Sequence, residues 1–187
     1  MSLKHAILGF LSLRPLSGYD LKKTFDQSVQ HFWPANQSQI YRTLAEMESQ
    51  QFVSVQVVER EDRLDLKRYH ITDAGKAELQ RWLATPLAPQ DNREPFLIQI
   101  YFGGKLSNAE MLNLIHTEMT AAEQRHALFS ALLAASQPRL ADYPDQRAAF
   151  FSLLTLEYGI RAQEALIAWL KSVSERIQSG DYSTVTS

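Results

Sequence analysis

The stretch from Asn36 to Phe52 constrains the fold most, because its two faces ask for different surroundings. On a helix turning by about 100° per residue, Ile40, Leu44 and Met47 share one side, while Ser38, Arg42, Ala45 and Ser49 line the other. The apolar side needs a core. Small residues around a single arginine suit close approach to a grooved partner such as duplex DNA. Asn36 with Gln39 three positions on predicts a capping box, and free N–H groups at such a helix start also favour a phosphate. An ordinary amphipathic surface helix shows the same periodicity, so the flanking segments decide between the two.

Upstream, Leu3 to Leu13 is apolar almost all round and stops at Pro15, which predicts a buried first helix. Ser17-Gly18-Tyr19-Asp20 opens a second helix, with Ser17 as its cap and Leu21 and Phe25 as its inward stripe. Phe32-Trp33-Pro34-Ala35 breaks the chain before the third helix. Downstream, Val53 to Val58 is rich in β-branched residues, Glu59 to Asp65 is a charged tip, and Leu66 to Ile71 alternates in a way that completes a two-stranded hairpin. Thr72-Asp73-Ala74-Gly75 caps a fourth helix that runs to about Leu83, with Ala77, Leu79, Trp82 and Leu83 as its apolar positions. Three helices, a hairpin and a closing helix make a winged helix-turn-helix. In that assembly the third helix enters the major groove and the hairpin tip reaches along the backbone or minor groove. Winged helices also serve as protein docking modules, so an interaction module without DNA binding stands as the second reading.

The C-terminal half is read as helical. Pro86, Pro89 and Pro95 mark a linker, Phe96 to Phe102 a short helix stopped by Gly103-Gly104, and Ser107-Asn108-Ala109-Glu110 a capping box that opens a long helix ending before Pro138. A last helix starts near Pro144 and runs to Gly180. On it Leu153, Leu156, Ile160, Ile167, Leu170 and Ile177 fall on heptad positions, while Leu154, Tyr158, Ala162, Ala165, Trp169 and Val173 form a separate stripe. One stripe can pack within the chain and the other needs a second surface, which predicts a homodimer through this helix; the heptad set is the candidate seam, and the spacing leaves open which stripe turns outward. A monomeric helical domain that buries both stripes is the alternative. The resulting expectation is a mainly α chain with a small β-hairpin: a winged helix-turn-helix over residues 1–84, a linker over 85–95, a helical dimerisation domain over 96–180 and a tail over 181–187.

The 187 residues include no cysteine, which excludes disulfides and thiolate metal sites and fits a reducing cytoplasm. No apolar run approaches the roughly 18 residues that span a bilayer, and the N-terminus reads as a first helix instead of a signal peptide. A soluble cytoplasmic protein with no membrane association is expected. The net charge of -2 counts mildly against nucleic-acid binding, and the wing tip Glu59-Arg60-Glu61-Asp62-Arg63-Leu64-Asp65 mixes both signs. His5, His31, His70, His116 and His126 show no metal-ligand spacing, and Gly103-Gly104-Lys105-Leu106 lacks the pattern of a phosphate loop. Neither a metal, a cofactor nor an enzymatic activity is expected.

Several strings resemble the PadR family of bacterial transcriptional regulators: Leu3-Lys4-His5-Ala6-Ile7-Leu8-Gly9, Leu16-Ser17-Gly18-Tyr19-Asp20-Leu21, Ser38-Gln39-Ile40-Tyr41-Arg42-Thr43-Leu44 and Arg68-Tyr69-His70-Ile71-Thr72-Asp73-Ala74-Gly75. Arg93-Glu94-Pro95-Phe96-Leu97-Ile98-Gln99-Ile100-Tyr101-Phe102 is similar to the start of the helical C-terminal domain in the longer, AphA-like and PadR-like subgroup. The resemblance implies a dimeric DNA-binding regulator, usually a repressor, sometimes released by small aromatic ligands. Gln37, Ser38, Tyr41 and Arg42 are the residues expected to face the groove, with Arg42 on a guanine edge or a phosphate and Tyr41 equally suited to packing. Tyr19, Lys22, Lys23, Arg63 and Lys67 are the expected backbone contacts on an inverted repeat of double-stranded DNA. An effector pocket near the domain junction would draw on His5, Trp33, Arg93 and Tyr101.

Overall fold

Side-chain caps decide where the helices begin. The computed structural model describes residues 2–30, 32–59, 65–89, 93–136 and 145–183, and the chain divides into two units, Met1–Asp91 and Asn92–Ser187. The first unit runs α1 (Ser2–Leu13), β1 (Leu16–Ser17), α2 (Gly18–Ser28), α3 (Gln37–Ser49), β2 (Val53–Val58), β3 (Leu66–Ile71) and α4 (Asp73–Leu83). Ser17 Oγ accepts the Asp20 N–H at 3.1 Å to start α2, and Thr72 Oγ1 accepts the Gly75 N–H at 3.1 Å to start α4. The capping box of α3 is complete: Asn36 Oδ1 accepts from Gln39 N and Gln39 Oε1 accepts from Asn36 N, both at 2.9 Å.

The sheet has three antiparallel strands in the order β1-β3-β2, one more than the expected hairpin. Val53 to Val58 pair in register with Ile71 to Leu66, and Leu16 and Ser17 add to the far edge opposite Tyr69 and Arg68. A strand of two residues has no periodicity to read, and the turn ahead of α2 hides it. The core gathers Ile7, Leu8 and Leu11 of α1, Leu21 and Phe25 of α2, Ile40, Leu44 and Met47 of α3, and Val53 and Tyr69 of the sheet. The start of α4 lies so close to this layer that a Cβ at Gly75 would collide with the Phe52 carbonyl oxygen. Of the apolar positions expected on α4, Leu79 and Trp82 are half-buried while Ala77 and Leu83 are exposed. Helix α1 also departs from its expected all-round burial. Ile7, Leu8 and Leu11 are enclosed, but Ala6, Gly9 and Phe10 are half-buried and Leu13 is exposed.

The second unit contains α5 (Pro95–Tyr101), a single 3-10 turn (Gly103–Lys105), α6 (Asn108–Ser136) and α7 (Gln146–Ser179). Glu110 accepts the Ser107 N–H at 2.8 Å and closes the box at the start of α6. Helices α6 and α7 run antiparallel. Met111 and Ile115 meet Leu170 and Ile177 at one end, and Phe129 lies against Gly159 further along. Arg125 Nε donates to Gln163 at 3.0 Å between them. The tail is tied down as far as Ser183: Asn108 Nδ2 donates to the Tyr182 hydroxyl oxygen at 3.0 Å, and the Arg176 guanidinium donates to the Ser183 carbonyl. Among the described residues, no helix is long and apolar enough to cross a membrane.

Candidate nucleic-acid interface

Burial of Ile40, Leu44 and Met47 turns the opposite face of α3 outward. Gln37, Ser38, Tyr41, Arg42, Ala45 and Ser49 are all exposed on it. The Gln39 N–H is consumed by the Asn36 cap, so one of the free amides at this helix start is already paired. Tyr41 is 42 % exposed, yet its ring is seated on α2: the atoms Cε1, Cζ and Oη stand 2.5, 2.6 and 2.9 Å from where a Cβ on Gly18 would be. Gly18 therefore links the first residue of α2 to the outward face of α3, and nothing in the local pattern around it signals that role.

Of the expected backbone contacts, Tyr19, Lys23 and Lys67 are exposed. Lys22 is half-buried and pairs with Asp26 one turn on, which takes up part of its charge. Arg63 and most of the wing tip lie outside the described residues. On β3 Arg68, next to Lys67 in sequence, is also exposed, a further wing cation that was not among the expected backbone contacts.

The second face of α1 opens a cavity of about 570 Å³ within the first unit, lined by residues that include His5, Gly9, Phe10, Trp33 and Trp82. His5 is 4 % exposed and its ring stacks on Trp82, centroids 4.4 Å apart and planes within 6°. His5 Nε2 lies 3.0 Å from Glu78 Oε1, which also accepts from Lys4 Nζ at 2.8 Å, while Arg81 Nη2 donates to Glu78 Oε2 at 2.8 Å. The hydrogen bond from Lys4, then those from His5 and Arg81, hold the Glu78 carboxyl down to about 2. Two of the expected effector residues, His5 and Trp33, thus share one cavity. Arg93 and Tyr101 belong to the second unit, both exposed, and neither lines this cavity. Ala6, Gly9, Phe10 and Leu13 recur at helical spacing, the signal that would have disclosed the second face of α1.

On α7 the heptad set points inward. Leu170 is fully enclosed, Leu156 is buried, and Ile177 packs with Met111, Ile115 and Leu170. Leu153, Ile160 and Ile167 are half-buried. In the single chain Leu170 is fully enclosed and Leu156 keeps 8 % of its surface, so these two positions present little to a second chain. The other stripe is the open one: Leu154, Tyr158, Ala162, Ala165 and Trp169 are exposed, Tyr158 by 77 %, and Phe150 and Phe151 extend the patch.

This architecture defines a winged helix-turn-helix regulator with a helical C-terminal unit. Residues 7–81 match the transcriptional regulator PadR-like family and residues 92–178 match the virulence activator alpha C-terminal family. Over 95 % of its length the chain is 37 % identical to the "Probable transcriptional regulator Rv1176c" of Mycobacterium tuberculosis, covering 98 % of that protein. It is 30 % identical to the negative transcriptional regulator PadR of Bacillus subtilis, over 91 % of this chain and 94 % of that one. Among solved structures, Bacillus subtilis PadR in complex with operator DNA aligns with TM-score 0.81 and 29 % identity, over 95 % of this chain and 99 % of that chain. The same protein in complex with p-coumaric acid aligns with TM-score 0.76 and 29 % identity at the same coverage. The Vibrio cholerae virulence activator AphA follows with TM-score 0.77 and 27 % identity, again over 95 % and 99 %. The chain belongs to the PadR-like family of transcriptional regulators.

Proposed function

We propose that this chain is a homodimeric, sequence-specific DNA-binding repressor that reads an inverted repeat in double-stranded DNA and is released by a small aromatic ligand. The observation that carries the reading is the exposed polar face of α3, in a chain similar along 95 % of its length to a regulator solved on its operator. In this reading Arg42 meets a guanine edge or a phosphate, with Gln37 and Ser38 beside it and Tyr41 held on Gly18 at the rim of the contact. Tyr19, Lys22, Lys23, Lys67 and Arg63 contact the backbone. The second copy docks on the open stripe of α7 through Leu154, Tyr158 and Trp169, whose exposure supports an apolar interface. The cavity beside His5 and Trp33 is the effector site, and the protein works in the cytoplasm.

Arg42→Ala tests the reading in equilibrium binding to a selected operator over a salt series. A phosphate contact lowers affinity on all sequences and the salt slope by about 1, whereas a guanine contact relaxes the preference at one position. Unchanged affinity and slope would remove Arg42 from the interface. Failure of the wild-type chain to bind any duplex at low salt would favour the protein interaction module.

A further inference from the structure

We propose that Arg68 and Gln56, a cross-strand pair on the outer face of the wing sheet, hold a phosphate of the DNA backbone. This rests on the DNA-binding reading above and adds to it a site within β2 and β3, apart from the mixed-sign tip.

Alternation along the strands sorts their side chains. Val53, Val55 and Tyr69 turn toward the core, while Ser54, Gln56, Arg68 and His70 share the opposite face. Lys67 lies opposite Val57 on the core side, so the two neighbouring cations leave the hairpin in different directions. On the outer face Arg68 stands between Gln56 of β2 and Ser17 of β1. Side chains directly opposite in such a ladder start about 5 Å apart, close enough to share one phosphate.

The chemistry of the pair is that of a donor fork. Arg68 is exposed and, among the described residues, pairs with no carboxylate, whereas Lys22 is taken up by Asp26. Neither β2 nor β3 contains an Asp or Glu. Asp20, at the start of α2, accepts the Ser17 hydroxyl at 2.6 Å. His70 Nε2 donates to Gln56 Oε1 at 3.1 Å, which occupies the acceptor of this side chain. The Gln56 amide nitrogen has no partner among the described residues, so the pair presents a guanidinium and an amide with donors only. Phosphate oxygens suit that set.

The register also joins the pair to the reading helix. Ser17, opposite Arg68, caps α2, and the next residue, Gly18, seats the Tyr41 ring of α3. The outward face of α3, the start of α2 and Arg68 are thus consecutive neighbours within the first unit.

Equilibrium binding of the full chain over a salt series tests the site, on a duplex recovered by selection and on an unrelated duplex. Arg68→Ala is expected to weaken binding to both duplexes by the same factor, roughly tenfold. Its salt slope falls by about 1. Arg68→Lys keeps the slope, because the charge remains, and Gln56→Ala weakens binding by roughly threefold without changing it. Wild-type affinity and slope in Arg68→Ala overturn the site and leave the DNA-binding reading standing. A loss confined to the selected duplex, or one with the slope unchanged, also overturns it, since neither is the mark of a phosphate contact. A wild-type chain that binds no duplex at low salt overturns the reading and the site together.

Discussion

The ring of Tyr41 occupies the space that any side chain on Gly18 would need, its Cε1 standing 2.5 Å from that Cβ position. The outward face of α3 is therefore positioned by the first residue of α2. The half-exposed tyrosine is as much a spacer between the two helices of the turn motif as a contact residue.

Gly18→Ala is expected to destabilise the protein by about 1–3 kcal/mol, because the ring must leave its seat. In a Tyr41→Ala background the same change costs less, with a coupling of at least about 0.5 kcal/mol. Urea denaturation of the four proteins of this cycle measures it. Equal costs in both backgrounds would show that the ring is not what the glycine accommodates.

Gly75→Ala is the harsher substitution. The added methyl meets the Phe52 backbone oxygen, Ile71 and Leu8, and a backbone carbonyl cannot swing aside as a ring can. The expected loss is about 2–3 kcal/mol, read as a lowered thermal midpoint with the secondary structure kept.

Glu78 gives a pH signature. Its folded pKa, about 2, lies below the ordinary glutamate value of 4.5, so its contribution to stability is present above pH 4.5 and is lost as pH falls toward 2. Glu78→Gln should flatten the dependence of stability on pH across that window. A wild-type slope retained in the variant would assign the acid sensitivity to other carboxylates.

The open stripe on α7 makes the oligomer testable. Leu154→Glu with Tyr158→Glu puts charge on exposed positions that the chain's own core does not use. The expected outcome in sedimentation velocity is a dimer for the wild type and a helical monomer for the variant. A variant that remains dimeric would place the seam elsewhere.

Much of the first unit is legible in short local signals. Ser17, Asn36 and Thr72 announce their helices by cap chemistry, and each is found capping. The α3 stripe Ile40, Leu44 and Met47 follows from spacing alone. Other features depend on partners distant in sequence. Leu16–Ser17 is a strand only because Tyr69 and Arg68 lie beside it. Gly18 carries no side chain, so its role appears only when Tyr41 is in view. On α7 two apolar stripes compete, and periodicity cannot rank them. The match of Leu170 to Met111 and Ile115 on α6 decides which turns inward.

The central claim is that α3 and the wing read DNA as a symmetric pair. Selection of bound duplexes from a random library by the purified full chain, followed by sequencing, tests it most directly. The account predicts an enriched inverted repeat with half-sites about one helical turn apart, or a multiple of that. Absence of any enrichment at low salt, where electrostatic attraction to the backbone is greatest, would contradict it.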